Sequence, residues 1–81
     1  MNVRAMKNFR RNLRTELEDR GISQRDLADL AGISYPYVNR ILQDKADPSV
    51  PICEQIAGAL GLTLIDLLTN PRDRVLSSVS R

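Results

Sequence analysis

Four times along this 81-residue chain a hydroxyl side chain opens a segment that can turn helical: Ser23, Ser34, Ser49 and Thr63. Each can accept a hydrogen bond from an orphan N–H of a first helical turn, which is the chemistry of an N-cap. Asp26 and Asp66 follow Ser23 and Thr63 by three residues, where a carboxylate completes a capping box and suits the positive helix end. The pairs Ile22/Leu27, Ile33/Val38 and Leu62/Leu67 flank three of the caps at hydrophobic-staple spacing. Pro51 lies inside the first turn after Ser49, where its missing N–H costs nothing.

The stops are as regular as the starts. Gly21, Gly32, Gly61 and the Asn70-Pro71 pair close four segments, because glycine enters the left-handed cap conformation cheaply and proline cannot continue a helix. Met6, Phe9, Leu13 and Leu17 add a first amphipathic run. Five helices are therefore expected, over about 5–20, 24–31, 35–43, 50–60 and 64–69. No period-two alternation competes, so the fold class is all-α, with one domain over 1–70. Residues 71–81 are expected to form a tail or the start of a linker, in which Leu76 and Val79 would support one more turn.

Composition removes whole classes of function. Histidine is absent and Cys53 is the one cysteine, so no His/Cys zinc site, internal disulfide or His-based catalytic pair can be built. No pair of catalytic groups converges, so no enzymatic activity and no cofactor are expected. No apolar run approaches the roughly 18 residues of a membrane span, and no apolar signal segment opens the chain. The expectation is a soluble, cytoplasmic binding domain without a membrane partner. Cys53 reads as a small core residue.

The formal charge of +2 is unevenly spread. Residues 1–20 hold six basic side chains against three acids; residues 21–46 balance at three each. Residues 47–70 carry three acids and no Lys or Arg, and 71–81 three Arg against one Asp. Such asymmetry suits a molecule with one anion-facing side. The plainer reading of the helix-one cations Lys7, Arg10, Arg11 and Arg14 is a solvated face adding long-range attraction.

The second and third segments are joined by Gly32-Ile33-Ser34, a short glycine-led turn characteristic of a helix-turn-helix over about 24–43. Ala28 is small where the two helices cross, and Leu27, Ile33, Val38 and Ile41 supply the contacts that fix their angle. The text from Ile22 to Ile41, Lys45-Ala-Asp-Pro-Ser49, and Gln55-Ile-Ala-Gly-Ala-Leu-Gly-Leu-Thr-Leu-Ile-Asp-Leu-Leu68 follow in order. Together these blocks resemble the Cro/C1 (lambda-repressor-like, XRE) family over residues 5–69. The resemblance implies a five-helix DNA-binding domain of a phage or bacterial repressor. It also implies that Gln24 and Lys45 meet the DNA backbone.

A helical wheel of the third segment buries Val38, Ile41 and Leu42 and turns Pro36, Asn39, Arg40 and Gln43 outward, with Tyr35 and Tyr37 on the flanks. In helix-turn-helix docking this helix enters the major groove. Arg40 then suits guanine O6 and N7, and Asn39 and Gln43 suit adenine. Pro36 suits a thymine methyl, and the two tyrosines suit phosphates or base faces. Two plainer readings stand beside these: Arg40 pairing with Asp44 four residues on, and Tyr37 packing as a half-buried aromatic.

Two departures from the family pattern matter. Leu17 stands where many members place a helix-one Arg or Lys on a phosphate, and Asp44 stands where a glycine is usual. Because one recognition helix reads few base pairs, a homodimer on a pseudopalindromic double-stranded operator is expected. Leu64 or Leu67 is the expected dimer contact. Repression by promoter occupancy is the leading function; an antitoxin-type autoregulator or a protein-interaction module are the alternatives.

Overall fold

All four expected caps are made. In the protein's structure, a computed structural model that describes residues 1–69, Ser23 Oγ accepts from the Asp26 N–H at 3.0 Å and Ser34 Oγ from the Tyr37 N–H at 3.2 Å. Ser49 Oγ accepts from the Ile52 N–H at 3.4 Å and Thr63 Oγ1 from the Asp66 N–H at 3.3 Å. Asp26 and Asp66 reciprocate, accepting from the Ser23 and Thr63 N–H groups at 3.2 and 2.9 Å.

The resulting helices are α1 (Val3–Arg20), α2 (Gln24–Ala31), α3 (Tyr35–Leu42), α4 (Val50–Ala59) and α5 (Leu64–Leu68). Helix α1 begins two residues before the expected start because Asn2 Oδ1 accepts from the Ala5 N–H at 2.8 Å. Among the described residues there is no strand, so the fold is all-α. The tail expected over 71–81 lies outside the described residues.

Helix α1 packs against α5 and α3, α2 against α3 and α4, and α4 against α5. The core they enclose is built from the apolar stripe of α1 (Met6, Phe9, Leu13, Leu17) and one face of each later helix, with Phe9, Leu13, Leu27 and Ile56 fully buried. Each fully buried large aliphatic or aromatic side chain contributes about 1.5–3 kcal/mol relative to exposure. Cys53 is buried among them, and burial pushes its thiol up to about 11. No helix of the described residues is long and apolar enough to cross a membrane.

The helix ends are closed from a distance. Asn12, 2% exposed, donates through Nδ2 to Leu67 O and Thr69 O at 2.8 Å each, and Asn8 donates to Leu68 O at 3.2 Å. Arg20 Nη1 donates to Leu60 O at 2.6 Å, and Gln55 Nε2 donates to Ala31 O. Arg10 closes α3: Nε donates to Ile41 O at 2.7 Å and Nη2 to Ala46 O at 3.0 Å. Its guanidinium also pairs with Asp44 at 3.0 Å and Asp47 at 2.6 Å, and its side chain is only 13% exposed. Arg10 is thus a structural clamp and not part of a solvated face.

The expected dimer contact also needs correcting. Leu67 is 1% exposed and belongs to the domain's own core, because the Leu62/Leu67 staple turns it inward. It has no surface left for a dimer contact. Leu64 is half-buried, and its neighbour Ile65 is the exposed apolar residue of α5, at 70%.

Candidate nucleic-acid interface

Helix α3 owes its position to the turn before it. Gly32 closes α2 at φ 70°, a left-handed conformation that glycine adopts without Cβ strain. The Ile33 N–H then reaches back to Ala28 O at 3.0 Å. Ile33 packs on the core, Ser34 caps the next helix, and Pro36 sits in its first turn. Val38, Ile41 and Leu42 face inward at 1–3% exposure. That fixes which side of α3 faces out.

Pro36, Arg40 and Gln43 lie on that outward side and are exposed, as is Lys45 just beyond the helix. Asn39 is half-buried, and its Nδ2 donates to Gln24 Oε1 at 3.0 Å. The bond joins the start of α2 to the middle of α3. It engages the Gln24 oxygen, so the amide hydrogens remain as its donors toward an anion. Tyr35 lies at the exposed first turn, and Arg25 stacks over its ring at 4.4 Å, within cation–π range. Tyr37 is half-buried and packs against the core, with the Arg40 guanidinium 6.0 Å from its ring centroid. The packing expected of Tyr37 is present, whereas Asp44 pairs with Arg10 and not with Arg40.

The structure therefore leaves Tyr35, Pro36, Arg40 and Gln43 exposed along and just after α3, joins Asn39 to Gln24 at the start of α2, packs Tyr37 half-buried against the core, and puts exposed Lys45 beyond the helix end. Asp44 terminates α3 at φ 61°. Its N–H bonds Ile41 O at 3.2 Å, and the Lys45 N–H bonds Arg40 O at 2.9 Å, a closure that a glycine normally makes. Aspartate tolerates the left-handed region better than most residues, and here the Arg10 guanidinium holds its carboxylate.

Two short helices joined by a glycine turn, with the second presenting a polar face, meet the requirements of a helix-turn-helix, and a sequence profile described as helix-turn-helix matches residues 13–67. The chain belongs to the Cro/C1-type helix-turn-helix family. Regulators of this family bind double-stranded DNA. The chain is similar to the HTH-type transcriptional regulator DdrOP3 of Deinococcus deserti, 34% identical over 69% of this chain and 43% of the relative. It is also similar to the HTH-type transcriptional regulator PuuR of Escherichia coli, 30% identical over 67% of this chain and 29% of PuuR. It thus spans less than half the length of either regulator. A crystal structure of a hypothetical transcription factor, NHTF, from Neisseria superposes with a TM-score of 0.80 at 28% identity, covering 94% of this chain and 85% of that one.

At the end of α1, where the resemblance implies a cation, Leu17 is buried at 6% and offers none. Sequence reasoning missed Arg25, because its partner Tyr35 lies on another helix and no local spacing links them. It also missed the Gln24–Asn39 bond, which depends on the angle between α2 and α3.

Proposed function

We propose that this domain binds double-stranded DNA sequence-specifically, with α3 in the major groove, and represses transcription by occupying a promoter in the cytoplasm. The observation that carries the reading is the outward face of α3, where exposed Pro36, Arg40 and Gln43 flank the Gln24–Asn39 bond. Arg40 takes guanine through O6 and N7, and Gln43 takes adenine. Asn39 reads adenine with its remaining amide atoms while holding Gln24. Pro36 packs on a thymine methyl, and Tyr35 and Tyr37 contact phosphates or base faces. Gln24 and Lys45 hold the backbone and fix the register. Two copies act on a pseudopalindromic operator, joined through Leu64 with Ile65 beside it.

Selection of bound sites from random duplexes tests this directly: two related half-sites are expected, at a spacing set by the dimer. Arg40→Ala should then cost about 1–3 kcal/mol of binding and relax preference at one base position. Unchanged affinity and preference in that variant would show the reading face to be wrongly assigned.

A further inference from the structure

Helix α1 carries a row of cations that the fold does not use. Lys7, Arg11 and Arg14 stand at i, i+4 and i+7 and therefore share one side of the helix. All three are exposed, and among the described residues no carboxylate pairs with them. Arg10 and Arg20, by contrast, are committed to the C-terminal ends of α3 and α4.

The row has a definite position. All three cations line a groove of about 810 Å³ whose far wall includes Leu42, Gln43 and Asp44, at the end of α3. Arg14 also edges a second depression, of about 540 Å³, shared with Leu17, Ser23 and Gln24 at the start of α2. The cations thus run beside the two places, Gln24 and Gln43, where the reading surface meets α1. The acids on the larger groove are Glu18, Asp44 and Asp47. Arg10 pairs with Asp44 and Asp47, so the groove's side chains carry four cations, Lys7, Arg10, Arg11 and Arg14, against these three acids.

We propose that Lys7, Arg11 and Arg14 form a track for one DNA strand, contacting phosphates outside the base pairs that α3 reads. The proposal rests on the DNA-binding function above and adds a second, sequence-independent contact region to it. From Lys7 to Arg14 the helix rises about 10 Å, and one strand carries a phosphate for every ~3.4 Å of duplex axis, so the row is long enough to meet more than one phosphate. Arg14, one turn before Leu17, lies in the same depression as Gln24. The track also gives the excess positive charge of residues 1–20 a use, since bulk charge across α2 and α3 is balanced.

The test is the salt dependence of binding to a random-sequence duplex long enough to span the domain, with wild type and Lys7→Gln/Arg11→Gln/Arg14→Gln. The three side chains are exposed and, among the described residues, have no ion-pair partner, so the variant should keep the wild-type melting curve. The slope of log K against log salt should flatten by about 0.9 for each phosphate no longer neutralised, with the base preference of selected sites unchanged. Arg14→Gln alone should flatten it by about 0.9. A triple variant with the full wild-type slope would overturn the track while leaving the DNA-binding function intact. A wild type with no salt-dependent duplex binding would overturn that function and the track with it.

Discussion

At its N-terminus α3 is fixed by its own segment, through Ser34 and Pro36; at its C-terminus it is fixed by Arg10, 31 residues before Ile41 in the chain. The first arrangement is one hydroxyl and one pre-set φ angle. The second is a guanidinium that donates to two carbonyls and pairs with two carboxylates. A helix start leaves N–H donors that a short neighbouring side chain can satisfy, whereas a helix end leaves carbonyls that need a donor able to reach them. In this domain α1 provides most of those donors, through Asn8, Arg10, Asn12 and Arg20. The reading turn of α3 is therefore held locally, and the Asp44–Lys45 segment beyond it depends on the α1 scaffold.

The contrast can be broken most severely at Arg10. Arg10→Ala leaves Ile41 O with only the Asp44 N–H, removes the side-chain donor of Ala46 O and uncouples Asp44 and Asp47, and should destabilise the domain by about 2–4 kcal/mol in urea unfolding. Arg10→Lys should recover little of this, because an ammonium cannot present the guanidinium's planar fork to four partners. An Arg10→Ala loss below that of a single cap would mean that the remote clamp is no stronger than the local one. Ser34→Ala, at the other end, should cost about 1 kcal/mol by the same measurement. Asp44→Gly should have the smallest effect. It relieves a left-handed aspartate, a strain of about 1 kcal/mol, and removes a pair whose carboxylate is 78% exposed, worth about 0–1 kcal/mol. A net change within about 1 kcal/mol by thermal unfolding is expected; a larger loss would make Asp44 a principal part of the clamp.

How much of the fold the sequence shows follows the same division. Ser23, Ser34, Ser49 and Thr63 are readable because a cap and its N–H lie three residues apart. The true start of α1 is hidden because Asn2 precedes every apolar residue of the periodic stripe. Leu67 reads as a contact residue because an apolar side chain in a short helix serves a core or a partner equally well on spacing alone. The outward position of Pro36, Arg40 and Gln43 follows from the wheel of α3, since Val38, Ile41 and Leu42 leave one orientation open. The Gln24–Asn39 bond and the Arg25–Tyr35 stack have no such signal.

The sequence by itself determined where four helices begin, that a glycine turn joins α2 to α3, and which face of α3 is polar. Each of these is settled within a few residues by hydrogen-bond reach, φ preference or helical period. Only the tertiary structure decided that Arg10 is a clamp while Lys7, Arg11 and Arg14 remain available, though all four lie within one basic run. Charge and local sequence are nearly the same for the four. What separates them is which side of α1 faces the carbonyls at the end of α3, and that depends on how helices distant in sequence pack.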